Sequence, residues 1–138
     1  MVACTRYLLP LLNKGSQPTL AIVSSMSHFF PFTRAEAYGA SKAAVAYFAE
    51  SLRVDLTDTD INVCLIEPGF IDTPLTRKNE FDMPFLMAPE DAAKRIFNGI
   101  NNKKTRLRFP RRLSFLLKTL GLLPYNLRNK VASKMKQQ

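Results

Sequence analysis

The sequence predicts an α/β fold built on a mostly parallel sheet, and three observations predict it. Two continuous apolar runs of strand length, residues 19–25 and 61–66, have the composition of strands buried on both faces. A long stretch of helical periodicity, residues 37–57, lies between them. Helical and strand-like stretches then go on alternating, as they do where right-handed crossovers join parallel strands. A chain of 138 residues suits one domain with a real core, and 46% hydrophobic against 22% charged residues excludes general disorder.

Each element has its own signature. Residues 1–13 crowd Val2, Tyr7, Leu8, Leu9, Leu11 and Leu12 densely enough for a buried helix end, which Pro10 should kink or limit to its last turn. Asn13-Lys14-Gly15-Ser16-Gln17-Pro18 stops that helix and leads into the first strand. The connection at 26–37 is long for a strand-to-helix link, and long links are often functional. In the helix at 37–57, Ala40, Ala44, Phe48, Leu52 and Leu56 form one apolar stripe that Ala43, Tyr47 and Val54 widen. A helix apolar over so much of its girth is expected to be buried on more than one side.

The second strand ends at Glu67-Pro68-Gly69-Phe70, because proline cannot continue the ladder and glycine allows a sharp turn. Residues 71–88 read as irregular and rich in Phe and Met. Pro89-Glu90-Asp91 starts a helix expected to run to about Asn98, with Gly99 near its end. Residues 105–109 predict an edge strand closed by Pro110, and helical pieces at 111–120 and 125–136 are separated by Gly121 and Pro124. The organisation expected is an α/β unit at 1–110 followed by a basic helical extension at 111–138.

Charge separates the same two regions. Residues 1–91 hold seven Lys/Arg and all eleven Asp/Glu, whereas residues 92–138 hold thirteen Lys/Arg and no acid. Arguments about partners of opposite charge therefore belong to the C-terminal third. That tail also carries Leu113, Phe115, Leu116, Leu117, Leu120, Leu122 and Leu123. It reads as a solvated extension or as a basic amphipathic segment lying peripherally on an anionic membrane. Nucleic acid is not an expected partner, since no recognised module accompanies the charge. Cys4 and Cys64 make no metal-type spacing, so no metal is expected; both read as buried thiols in a reducing, cytoplasmic compartment. No signal peptide is evident, and no apolar run approaches the roughly 20 residues that span a bilayer.

Chemistry concentrates between Ser24 and Lys42. Tyr38 and Lys42 stand four apart at a helix start, so they share a face, and a cation beside a phenol favours the phenolate. That is how a tyrosine becomes an acid/base near neutral pH. Ser25, at the end of the preceding strand, can add a hydroxyl. Sites in open parallel sheets lie at the carboxyl ends of strands, and Ser24-Ser25 and Pro68-Gly69 both follow predicted strands. Ser24 reads as a strand end, and His28, the single histidine, is assigned no role. Phe29, Phe30, Phe32, Phe70, Phe81, Met83, Phe85 and Met87 are either core or the lining of an apolar substrate pocket.

The motif resembles the C-terminal part of a short-chain dehydrogenase/reductase. The resemblance rests on Ser25 thirteen positions before Tyr38, then Tyr38-Gly-Ala-Ser-Lys42-Ala-Ala, then Pro68-Gly69-Phe-Ile71-Asp-Thr73, and covers roughly residues 1–110. It implies a Rossmann-like, doubly wound parallel sheet and hydride transfer between NAD or NADP and a carbonyl or alcohol, NADP being slightly favoured. It further implies that Tyr38 is the general acid/base and that Lys42 lowers the tyrosine pKa and bonds the nicotinamide ribose. Ser25 would polarise the substrate oxygen. Pro68 and Gly69 would border the nicotinamide, with the Ile71 backbone and Thr73 contacting its carboxamide or phosphates. The family pairs subunits through helices matching 1–13 and 38–57, so a homo-oligomer is expected.

One departure is large. The family's cofactor half opens with a Gly-rich turn, and the five glycines here, at 15, 39, 69, 99 and 121, stand far apart. The family's Asn-Ala-Gly stretch and its catalytic asparagine align before Met1. The expectation is therefore a fold lacking its N-terminal half, as a fragment or a frame started at an internal methionine. Two readings follow: the catalytic C-terminal portion of an oxidoreductase, or a non-catalytic product that associates with itself or a full-length relative.

Overall fold

The computed structural model describes residues 1–78 and 82–135. Three strands, β1 (Thr19–Val23), β2 (Asn62–Pro68) and β3 (Arg106–Phe109), form one parallel sheet in the order β1-β2-β3. The crossovers carry helices α2 (Glu36–Asp55) and α3 (Pro89–Asn101). Helix α1 (Val2–Leu12) precedes the sheet, and α4 (Arg111–Gly121) and α5 (Tyr125–Lys134) follow it. The predicted alternation and parallel pairing are what the chain adopts.

β2 is the centre, and its alternating side chains feed two cores. Val63 and Leu65 meet Ile22, Ala46 and Ala49 under α2, with Val45, Phe48, Leu52 and Leu56 packed around them. Cys64 and Ile66 point the other way, to Ala92 of α3 and to Leu107 and Phe109 of β3. Here α3 lies directly on the sheet: a Cβ at Gly99 would come within 2.3 Å of the Leu107 side chain. α3 passes through Gly99 and runs to Asn101, beyond the expected Asn98. Lys103 N–H then bonds Ile100 C=O and Lys104 N–H bonds Gly99 C=O, closing the helix end with Lys103 at φ 51°.

A third cluster joins Met26 and Phe30, from the connection after β1, to Leu113 and Leu117 of α4. Val131 and Ala132 of α5 pack on the same cluster, so the tail folds back over that connection. The contact is close, since a Cβ on Gly121 would stand 2.4 Å from the Phe29 carbonyl oxygen.

Several expectations are corrected. Helix α1 is largely exposed; Thr5 is its buried residue, and Pro10 sits inside its last turn. Strand β1 is not buried on both faces: it ends at Val23, and Ala21 and Val23 share an exposed face opposite the buried Ile22. On α2 the buried side chains are Ala46 and Ala49, while Ala40, Ala43, Ala44, Tyr47 and Val54 face outward. The helix is therefore buried along one side. Cys4 is exposed, and Cys64 alone is the buried thiol. α5 ends at Lys134; residue 136 and Phe81 lie outside the described residues. No helix among the described residues is long and apolar enough to cross a membrane.

Candidate active site

The site is built where β1 and β2 end. Ser24 is buried and ties three pieces together: its N–H donates to Ile66 C=O at 2.8 Å, and its hydroxyl donates to Lys42 C=O at 2.7 Å. The second bond anchors α2 to the end of β1 and makes Ser24 a positioning residue rather than a bare strand end. Ser25 follows in extended conformation and is buried. Its hydroxyl oxygen accepts the Ser27 N–H at 3.1 Å, capping the short 3₁₀ turn Met26–His28. That turn packs against α2, where a Cβ on Gly39 would stand an ordinary 3.5 Å from the Ser27 carbonyl oxygen.

Tyr38 stands in the first turn of α2 and is half exposed, with Lys42 one turn on. The Lys42 ammonium lies 5.7 Å from the Tyr38 ring centroid and donates to Val23 C=O at 3.3 Å. Ser24 and the Lys42 ammonium thus meet at the carboxyl end of β1, with Tyr38 half exposed beside Lys42. A hydroxyl donor held beside a cation is suited to moving a proton on and off a substrate oxygen.

The other predicted residues leave β2 on the same edge. Gly69 N–H continues the ladder to Phe109 C=O at 2.9 Å, and Gly69 packs against Pro110 and Leu113. Ile71 forms an isolated parallel bridge with Met87. Thr73 N–H donates to Thr76 Oγ1 at 2.8 Å, and that hydroxyl lies 2.5 Å from Ile71 C=O. Thr76, missed in the sequence reading, therefore holds the Ile71–Thr73 turn. Asp72 and Arg77 pair at 2.7 Å across it, and that hydrogen bond holds the Asp72 carboxyl below its ordinary pKa.

A second missed feature lies behind the site. Glu67, just before Pro68-Gly69, has no exposed surface. One carboxylate oxygen is 2.8 Å from His28 Nε2 and the other 2.6 Å from Arg108 Nε, with Arg106 Nε at 3.4 Å. A buried carboxylate persists only when so paired. It joins the Ser25 turn to β2 and β3, and His28, given no role from sequence, is its partner. Arg106 also pairs with Glu50 of α2. The signal was available: an acid in an apolar run of strand length needs cations nearby.

The aromatic question divides. Phe30 is core, whereas Phe29 and Phe32 line a cleft of about 350 Å³ with Gly39, Ala40 and Ala43 of α2. Arg108 and Lys118 stack on Phe29 at 5.2 and 5.3 Å, and burial there pushes the Lys118 pKa down. For a dinucleotide, the half-exposed Tyr38 and the adjacent Lys42 ammonium offer hydrogen-bonding groups of the kind a ribose hydroxyl takes. No Gly-rich turn within these 138 residues fits its pyrophosphate.

The chain belongs to the short-chain dehydrogenase family, whose model matches residues 1–83. It is 37% identical over 128 residues to an uncharacterized oxidoreductase of Myxococcus xanthus (strain DK1622), covering 93% of this chain and 51% of that one. Over 76 residues it is 41% identical to 11-beta-hydroxysteroid dehydrogenase A of Sesamum indicum, covering 55% of this chain and 21% of the relative. Its fold matches a short chain dehydrogenase from Burkholderia cenocepacia J2315 in complex with NADP, with a TM-score of 0.77 at 18% identity, over 99% of this chain and 54% of that structure. The architecture is thus Rossmann-like, and the chain spans about half the length of the Myxococcus relative.

Proposed function

We propose that residues 1–110 are the catalytic C-terminal portion of an NAD(P)-dependent oxidoreductase interconverting an apolar alcohol and its carbonyl. The observation that supports this reading is the Lys42 ammonium beside the Tyr38 ring and on the Val23 carbonyl, with Ser24, next to Ser25, bonding the strand end to Lys42. A bound nicotinamide supplies or takes the hydride. Tyr38 gives its hydroxyl proton to the substrate oxygen in reduction and takes it back in oxidation. Lys42 bonds the ribose, while Ser25 orients the substrate oxygen. Pro68, Gly69, Ile71 and Thr73 border the nicotinamide. The likeness to the Sesamum steroid dehydrogenase supports an apolar substrate, and the cofactor is NAD or NADP. The two free cysteines fit a reducing, cytoplasmic setting.

The outward faces of α1 and α2, with Tyr7, Tyr47 and Val54 exposed, support pairing of two copies. Those exposed faces favour a second reading, a non-catalytic chain acting by such association. NADPH titration followed by nucleotide fluorescence separates the two. Saturable binding by this chain that Lys42→Ala weakens supports the catalytic reading, with Tyr38→Phe then expected to abolish turnover of an aromatic ketone. Absence of binding, with dimerisation on sizing, supports the second.

A further inference from the structure

We propose that α4 and α5 form a docking surface for an anionic lipid bilayer. One side of α4 is spent: Leu113 and Leu117 are buried against Met26 and Phe30. The opposite side faces water, where Phe115 is 72% and Leu122 85% exposed. Helical spacing puts Arg111, Phe115 and Leu122 on one line down that side. Leu116 is exposed beside Phe115, and on α5 Tyr125 and Leu127 are exposed on different sides of that helix. Single exposed apolar side chains are ordinary, but Phe115 and Leu122 stacked on the outward side of α4 make an apolar line that nothing among the described residues covers.

The charge around the patch names the occupant. Arg111, Arg112, Lys130 and Lys134 are exposed on the two helices, and no acid occurs anywhere from residue 92 onward. Apolar side chains that enter the headgroup–acyl boundary, ringed by cations that meet anionic headgroups, are the requirements of an interfacial helix. A polyanion such as RNA satisfies the cations and stacks a base on Phe115, but it leaves the aliphatic Leu122 in water, whereas a bilayer takes both. Neither helix is long enough to span, so the surface lies on the bilayer.

The chain contains no tryptophan, so Phe115→Trp provides a single reporter at an exposed position. With mixed phosphatidylcholine–phosphatidylserine vesicles at low salt, the 138-residue chain is expected to co-sediment and the Trp emission to shift blue. Pure phosphatidylcholine should give much weaker binding, and added salt should reverse the rest. Phe115→Ser with Leu122→Ser should lower vesicle partitioning about tenfold or more while leaving heparin binding unchanged. Arg111→Gln, Arg112→Gln, Lys130→Gln and Lys134→Gln together should weaken both. No serine-lipid-dependent sedimentation, or sedimentation without a blue shift, overturns the proposal. Equal vesicle binding by the double-serine variant also overturns it and makes the surface a plain polyanion site. Circular dichroism of each variant confirms that the fold is retained.

Discussion

Replacing Glu67 by leucine should destabilise the fold severely, because it removes the anion on which Arg108, Arg106 and His28 converge from a position with no exposed surface. Breaking a buried pair by deleting one partner costs roughly 3–5 kcal/mol, since the remaining charges stay desolvated. Here the partners are better hydrated than the acid: the side chains of Arg106, Arg108 and His28 are 35%, 21% and 17% exposed. Their residual access to water reduces the expected loss to about 2–4 kcal/mol. Glu67→Gln keeps the shape and a hydrogen-bonding capacity but loses the charge, so about 1–2 kcal/mol is expected. Against a total stability of about 5–15 kcal/mol, either change is readily measured. With a urea slope of roughly 1–3 kcal/mol/M, Glu67→Leu should lower the unfolding midpoint by about 1–2 M at unchanged slope. Far-UV circular dichroism during urea titration reads it. A loss under about 1 kcal/mol for leucine, or leucine no worse than glutamine, refutes the reasoning that this carboxylate holds the Ser25 turn to the sheet.

Three further outcomes follow from the packing. Native protein treated with a thiol reagent should lose Cys4 rapidly and keep Cys64, because burial pushes the Cys64 thiol pKa up and leaves less thiolate to react; mass spectrometry showing both labelled before unfolding would contradict this. Gly99→Ala should cost about 1–3 kcal/mol in urea titration despite alanine's better helix propensity, since the new methyl meets the buried Leu107 side chain; a stabilised variant would mean α3 stands off β3. Arg77→Gln should move the Asp72 carboxyl pKa upward, read from its side-chain carbon by NMR. The sign is that of a depressed acid: the pair's contribution is present above the unfolded pKa and lost as pH falls through the lower folded value, so an unmoved pKa rejects the ion pair.

What sequence alone determined here is short-range. Apolar runs of strand length located β1 and β2 to within two residues, and Tyr38 and Lys42 share a face because any helix puts residues four apart together. Proline and two acids started α3 at Pro89, and the alternation of elements required parallel strands. Tertiary structure decided which surfaces those elements bury. The alanines of α2 carry too little apolar area to set its rotation, so contact with Ile22, Val63 and Leu65 selected Ala46 and Ala49 instead of Ala40 and Ala44. β1 and α1 had the composition of buried elements, yet one face of β1 and most of α1 are exposed, so Val23 and Cys4 face water. The Glu67 network depended on register: β2 and β3 set Glu67 opposite Arg108, and the turn after Ser25 brings His28 to the same carboxylate across 39 residues. Periodicity along a chain reports which residues can share a face; a partner distant in sequence settles which face is covered, and that partner exists only after folding.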